Sequence, residues 1–175
     1  MSVASDTDIV TRAKELLDSL EYVNVASVTA DGMPWNTPVY APWDEQLIFY
    51  WGSWQEAEHS KNIRANPNVF LTLYDSTRLR GTNNLRCLYF QAKAFELADP
   101  GEIARASSLL YGTEGAPDLS IFSGNSVKRL YKAVSLRAWL NDTSEREVTP
   151  ETVKMRVELP LQELKVLCQR YNKTN

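Results

Sequence analysis

The sequence has little of several features that point to common classes of function. Its 175 residues include two cysteines and one histidine, too few for a disulfide framework or for repeated metal-ligand spacing. Cys87 and Cys168 lie far apart, and we expect both to be free thiols and no metal site. The formal net charge is −3, so the chain lacks the global basic surface that binds DNA or RNA nonspecifically. Nucleic acid is therefore not an expected partner.

Long hydrophobic runs are also missing. No stretch reaches the roughly 20 apolar residues that a membrane-spanning helix needs. The segment MSVASDTDIV does not combine a basic stretch with an apolar one, as a secretion signal would. We therefore expect a soluble, cytoplasmic protein with no membrane partner. A chain of 175 residues with 43% hydrophobic content can bury the core of one domain, which we interpret as residues 1–175.

Turn residues and hydrophobic periodicity predict a mainly β protein with inserted helices. Helically spaced apolar residues over 9–20 predict an N-terminal helix, and Asp31-Gly32 predicts a tight turn between the first two strands. The first three strands are expected to form an antiparallel meander. Strands are predicted over 22–29, 35–41, 47–51, 68–74, 86–97, 129–141 and 153–159. This order favours a β-barrel with helical decoration over a doubly wound parallel sheet.

Residues 47–75, LIFYWGSWQEAEHSKNIRANPNVFLTLYD, place a polar, partly basic helix between two apolar strands. The first strand is apolar at every position, as expected when both faces are covered. Gly52 and Ser53 are predicted to break it, and Asn66-Pro67 to end a helix over 56–65. The polar residues of this stretch include Ser53, His59, Ser60, Lys61 and Asn62. Such hydrogen-bonding and cationic groups near a helix N-terminus suit a phosphate.

The same segments resemble a known family. The strings YVNVASVTADGMPWNTPVY, LIFYW and AEHSKNIRANPNVFLTLYDST are similar to the pyridoxamine phosphate oxidase-like superfamily of FMN-binding split barrels. The most specific element is the S-K-N-I-x-x-N-P-x-V spacing after an aromatic strand. The resemblance implies a split barrel of antiparallel strands. It also implies a homodimer with two FMN sites at the interface.

The resemblance also implies where FMN would bind. The cofactor-binding candidates are Asn36, Thr37, Pro38 and Val39 after the Asp-Gly turn, and Trp51, Gly52, Ser53, His59, Ser60 and Lys61 around the helix. Thr37 stands where the oxidase has a phosphate-gripping arginine. Counted back from Asn-Pro, the oxidase's lysine aligns with His59, so either His59 or Lys61 is the expected phosphate partner. The segment KAVSLRAWLND lacks the oxidase's tryptophan and arginine-histidine signature, which implies a related protein and not the vitamin B6 oxidase.

Three functions stay open at this point. The first is an FMN-dependent oxidoreductase with an unassigned small-molecule substrate, in which the flavin does the redox chemistry and no catalytic side chain stands out. The second is a deazaflavin-dependent reductase, whose cofactor needs a wider basic groove. The third is a non-enzymatic dimeric module that binds flavin or haem or has lost its cofactor, an alternative that Thr37 keeps open.

Several candidates also have ordinary structural explanations. A lone histidine on a helix is most often a surface or capping residue, and Lys61 with Arg64 could be a solvated face paired with glutamates. The tryptophans of this region could be core or interface aromatics. The polar loop over 75–84, which carries Arg78 and Arg80, is long enough for a lid or a dimer contact.

Overall fold

The structure is a computed structural model that describes residues 6–77, 86–141 and 156–171. Arg78, Arg80 and most of the predicted polar loop lie outside the described residues. The helices are α1 (Asp6–Ser19), α2 (Glu58–Ala65), α3 (Pro100–Tyr111) and α4 (Leu161–Tyr171), and a short 3-10 helix spans Leu119–Phe122. The strands are β1 (Tyr22–Val28), β2 (Pro34–Tyr40), β3 (Ile48–Trp54), β4 (Asn68–Tyr74), β5 (Cys87–Glu96), β6 (Lys128–Asn141) and β7 (Val157–Leu159).

The described strands form one antiparallel sheet in the order β2-β1-β4-β5-β6-β3, with β7 paired to β6. This confirms the predicted antiparallel class and the N-terminal helix. The predicted hairpin between β1 and β2 is also present, closed by a hydrogen bond from Thr29 N–H to the Met33 carbonyl. Gly32 in its turn has a φ of 87°, a conformation that glycine adopts without steric cost.

The predicted meander of the first three strands is wrong at its third member. β3 pairs with β6 at the other end of the strand order from β2. The chain turns between β2 and β3 on Asp44, whose carboxylate accepts hydrogen bonds from the N–H groups of Gln46 and Ile48. Leu47 has a left-handed φ of 55° and precedes the strand instead of starting it. Both faces of a strand that is apolar throughout must be buried, and β3 is buried on both faces in its position beside β6.

The strand break expected at Gly52 and Ser53 is also wrong. Gly52 lies opposite Leu130 and Ser53 opposite Arg129, so both continue the ladder with β6. The strand ends only after Trp54. Pairing with a long neighbouring strand satisfies the backbone groups of both residues, which outweighs their weak intrinsic preference for strands.

Helix α2 begins slightly later than predicted. The Ala57 N–H donates to the Trp54 carbonyl, at 3.1 Å, so a turn separates the end of β3 from the first helical residue, Glu58. The predicted end is confirmed, because the helix stops at Ala65, directly before Asn66-Pro67. Proline after the last turn disfavours a helical conformation at the residue before it.

Two clusters of buried side chains cover the two faces of β3. Phe49 and Trp51 belong to the main core, which also takes residues from β1, β4, β5, β6, α1 and α4. Tyr50 belongs to a second cluster with Ile103 of α3 and Phe122 of the 3-10 helix. The prediction that this strand is covered on both faces is therefore confirmed.

The C-terminal helix α4 was not predicted from the sequence. It packs against α1 and β6, with Leu164 and Cys168 fully buried in the main core. Cys87 is buried as well, and both cysteines are free thiols, as expected. β7 covers only Val157–Leu159 of the strand predicted over 153–159, of which 153–155 lie outside the described residues.

Candidate functional site

The candidate site is centred on the start of α2. The helix follows β3 after a short turn, and its capping position is Ala57, which has no side chain that can accept a hydrogen bond. Ala57 uses its carbonyl for the N–H groups of Ser60 and Lys61. The amide groups of the first helical turn therefore lack a side-chain cap at the positive end of the helix dipole. Such an end can accept an anion.

One face of α2 is buried against the sheet. Asn62 donates its Nδ2 hydrogen to Ser27 Oγ of β1 at 3.1 Å, and both side chains are buried. His59 meets Tyr131 of β6 edge-on, with ring centroids 6.5 Å apart. Trp51 stacks on the same Tyr131 ring at 5.7 Å. The fold thus brings the predicted residues Trp51 and His59 together around a tyrosine from a distant part of the sequence.

Three buried polar atoms beside this tyrosine lack hydrogen-bond partners among the described residues. They are Trp51 Nε1, His59 Nε2 and Ser60 Oγ. An unsatisfied buried polar group costs about 1–3 kcal/mol. Buried polar atoms without partners are uncommon in native proteins, so three close together mark a place where a ligand or water can bind.

Burial sets the protonation of the aromatic groups in this cluster. It lowers the pKa of His59, so the imidazole is neutral near pH 7 and offers a hydrogen-bonding group instead of a positive charge. Burial also raises the pKa of Tyr131. The neighbouring Ser60 hydroxyl opposes this shift, although it makes no hydrogen bond of good geometry. The Tyr131 hydroxyl donates instead to Glu96 Oε2 at 3.3 Å.

Positive charge near α2 comes from its solvent-facing side. Lys61 Nζ lies 3.6 Å from a Glu56 oxygen, and Arg64 lies 3.8 Å from Glu96. Nearly half of the Lys61 side chain is exposed. Exposed pairs at such distances contribute little to stability, about 0–1 kcal/mol. Lys61 can therefore turn to an incoming anion at small cost.

The sequence-predicted residues of β2 divide between the two faces of the sheet. Thr37 lies opposite Val25, which is buried in the main core, whereas Pro38 lies opposite the partly exposed Asn24. Alternation places Val39 on the Thr37 side and Asn36 on the Pro38 side. The Thr37 hydroxyl accepts a hydrogen bond from Trp35 Nε1 at 3.0 Å.

The two remaining candidates, Gly52 and Ser53, belong to β3. A Cβ added at Gly52 would meet the Tyr111 hydroxyl and a Leu130 methyl, each at 3.5 Å, which places that face of Gly52 towards α3 and away from α2. Ser53 alternates with Gly52 and so lies on the same side as Trp51. The structure therefore groups Trp51, His59 and Ser60, places Ser53 on the same side of β3 and separates Gly52 from them.

Sequence reasoning missed Tyr131 and Glu96. Tyr131 occupies a buried position in the alternating pattern of β6, which marks a core residue and nothing more. Its contact with Trp51 depends on the pairing of β3 with β6, and sequence periodicity carries no information on strand pairing. Glu96 looks in the sequence like any solvent-facing strand residue.

Among the residues that the structure describes, no three His, Cys, Asp or Glu residues are arranged to hold a metal ion. None of the helices in the described ranges is long and apolar enough to cross a membrane.

Sequence comparison identifies the family. A family model described as pyridoxamine 5'-phosphate oxidase matches residues 9–155, most of the chain. The chain belongs to this family. Pyridoxamine 5'-phosphate oxidase-like proteins share the split-barrel fold and include both FMN oxidoreductases and non-enzymatic haem-binding members. Among curated proteins, no sequence match was found.

Solved structures with the same fold are distant in sequence. A haem-binding protein from Mycobacterium smegmatis has a TM-score of 0.68 and 13% identity, over 95% of this chain and 62% of that one. ChuZ of Campylobacter jejuni has a TM-score of 0.62 and 16% identity, over 78% of this chain and 56% of that one. A Clostridium acetobutylicum protein related to general stress protein 26 has a TM-score of 0.62 and 13% identity, over 91% of this chain and 99% of that one.

These similarities establish the split-barrel fold of this pyridoxamine 5'-phosphate oxidase-like protein. The chain spans 62% and 56% of the length of the M. smegmatis and C. jejuni proteins, each of which is therefore considerably longer.

Proposed function

We propose that this protein binds FMN with the phosphate at the start of α2, and that it is an FMN-dependent oxidoreductase acting on a small molecule. The observation that carries the proposal is the start of α2, which has no side-chain cap, together with the three buried polar atoms of Trp51, His59 and Ser60 that lack partners. The fold family supplies the cofactor class, since it includes FMN oxidoreductases.

The donor set at α2 fits a phosphate in part. A phosphate dianion needs several donors and at least one cation. The N–H groups of Glu58 and His59, which precede those bonded to Ala57, supply donors, and Lys61 supplies the cation. Thr37 adds only a hydroxyl already bonded to Trp35. His59 is neutral and its side chain is buried. We therefore propose that His59 stabilises the packing of α2 and that Lys61 supplies the positive charge.

The reacting part of a bound flavin would do the redox chemistry, and the protein would bind and orient it. The face of the sheet that carries Thr37 and Val39 offers a partly buried apolar wall beside α2. Asn36 and Pro38 lie on the other face, away from α2, and we assign neither of them to the cofactor. No side chain of this chain is proposed as a catalytic acid or base.

The first test is spectroscopic. Protein purified without added cofactor, or separated from unbound FMN after FMN has been added, is expected to show the absorbance of bound flavin. It is also expected to release FMN on heating. A colourless protein that does not quench the fluorescence of added FMN would rule out the proposal.

Haem binding is the second candidate function. The chain's one histidine has an unpartnered Nε2 and a pKa lowered by burial, which keeps the imidazole in the neutral form that ligates iron. The M. smegmatis structure is described as a haem-binding protein. Haem titration tests this second candidate. A Soret band that is lost in His59→Ala and unchanged in Lys61→Ala would favour haem binding. A deazaflavin cofactor, which needs a wider basic groove, fits the site less well than FMN does. The cations beside α2 are few, and they are paired with carboxylates.

We further infer that the protein is a homodimer whose cofactor sites lie at the interface. Family members are commonly dimeric. The β1–β2 hairpin exposes large apolar side chains beside its turn, with Met33 60% and Trp35 45% exposed. Clustered exposed hydrophobic groups of this kind mark interaction surfaces. Light scattering on the eluted protein should give twice the 19.9 kDa chain mass, and a monomer at micromolar concentration would contradict the inference.

A further inference from the structure

A cavity of about 600 Å³ lies at the C-terminal end of α1, against the β1–β2 hairpin and the end of β4. Its volume is within the range of small-molecule sites, about 300–1,000 Å³. The lining groups on which the inference depends are Asp18, Glu21, Tyr22, Asn24, Pro38 and Tyr74. Among the lining residues that the structure describes, none is a lysine, an arginine or a histidine.

This cavity is separate from the start of α2. Asn24 and Pro38 lie opposite each other on β1 and β2, so their side chains share one face of the hairpin. Ser27, three positions after Asn24, is buried and bonded to Asn62 of α2. Because side chains alternate along a strand, α2 and the cavity lie on opposite faces of the hairpin.

The described residues that line the cavity carry negative charge, from Asp18 and Glu21. The last turn of α1 contains no basic residue, so its free carbonyl groups are not neutralised there. Asp18 is already paired, because Lys14 Nζ lies 2.6 Å and 2.7 Å from its two carboxylate oxygens. Glu21 is exposed and forms no ion pair with any residue that the structure describes. Its carboxylate is thus available to a cation.

The walls of the cavity are aromatic. Tyr22 is 66% exposed and Tyr74 is 47% exposed, so both rings keep much of their surface open to solvent. The faces of tyrosine rings attract cations, and they also pack against apolar groups. A ligand with both a positive group and an apolar body matches these walls better than an anion does.

We propose that this cavity is a binding site for a small organic cation, an ammonium group attached to an apolar body. The Glu21 carboxylate binds the ammonium group, and the side chains of Tyr22, Tyr74 and Pro38 contact the apolar body. The site is separate from the proposed FMN site, because it lies on the opposite face of the hairpin from α2, Thr37 and Val39.

The test uses three probes with a common ring and different charge. 2-Phenylethylamine, 2-phenylethanol and phenylacetate are positive, neutral and negative near pH 7, and each is titrated into full-length protein while amide shifts are followed by NMR. The amine is expected to bind and to shift resonances of 18–24 and 74–76. Binding of all three with equal affinity, or of none, would overturn the proposal.

Matched variants separate the charge from the shape of the cavity. Glu21→Gln keeps the side-chain size and is expected to weaken amine binding about three- to fivefold, the scale of one exposed ion pair. Glu45→Gln, in the exposed turn before β3, should leave the affinity unchanged. Tyr74→Leu should weaken the amine about two- to fivefold. Equal affinities of wild type and Glu21→Gln, with both folded by thermal melting, would contradict the assignment of Glu21.

Discussion

Trp51 and Tyr131 lie directly opposite each other on β3 and β6, and their rings stack at a centroid distance of 5.7 Å and an interplanar angle of 16°. Trp51 is 1% exposed and Tyr131 is fully buried. The pair joins the main core to the start of α2, because His59 packs edge-on against the same tyrosine. This contact therefore helps to position His59 in the proposed cofactor site.

Replacement of Trp51 tests that role. Trp51→Ala should lower the free energy of unfolding by about 3–5 kcal/mol, since it empties a large buried volume beside Tyr131. Trp54→Ala is the matched control, because Trp54 ends the same strand but is 56% exposed. Urea denaturation of both variants measures the difference, and equal losses would contradict the placement of Trp51 in the core.

The hydrogen bond between Asn62 and Ser27 attaches α2 to the sheet. Asn62→Ala should cost about 1–3 kcal/mol, because it leaves a buried serine hydroxyl without its partner. Hydrogen exchange of the α2 amides should quicken in the variant. The double variant with Ser27→Ala should lose less than the sum of the single losses, and strict additivity would show that the two side chains do not interact.

Burial of His59 makes stability depend on pH. Its pKa is lowered from 6.5 in the folded state, so the unfolded chain binds the proton first as the pH falls. The contribution of the neutral folded form is complete above pH 6.5 and is lost as the pH falls towards the lowered value. Unfolding free energies at pH 7.5 and pH 5.5 should therefore differ less in His59→Gln than in wild type. The same pH dependence in both proteins would show that His59 is not desolvated.

Both cysteines should be chemically inert in the folded protein. Burial raises the pKa of the Cys87 thiol and raises that of Cys168 to about 11, so neither forms much thiolate near neutral pH. Mass spectrometry after iodoacetamide treatment at pH 8 should find no label in native protein and two labels in urea. Rapid labelling of Cys168 in the native state would contradict the packing of α4 on α1.

Local signals made several elements predictable from the sequence. The Asp31-Gly32 turn and the Asn66-Pro67 stop act through the conformations that glycine and proline allow, whatever the rest of the chain does. The helical spacing of α1 reports one buried face in the same way. The C-terminal helix had a comparable signal in Leu161, Leu164 and Cys168, which sequence reasoning overlooked.

Nonlocal pairing explains what the sequence could not reveal. The partner of β3 is a strand more distant along the chain, and the pairing keeps Gly52 and Ser53 extended despite their turn preference. At the candidate site, the nearness of Trp51 to His59 follows from their short separation in sequence. The position of Tyr131 between them follows only from the sheet.

The central claim is that the FMN phosphate binds at the start of α2 with Lys61 as its cation. The most direct measurement is the affinity for FMN relative to riboflavin, which lacks the phosphate, in wild type, Lys61→Ala and Lys165→Ala. Lys165 lies on α4 and serves as the charge-matched control. We expect wild type and Lys165→Ala to prefer FMN, and Lys61→Ala to lose most of that preference. Failure of wild type to bind FMN, or an unchanged preference in Lys61→Ala, would contradict the account.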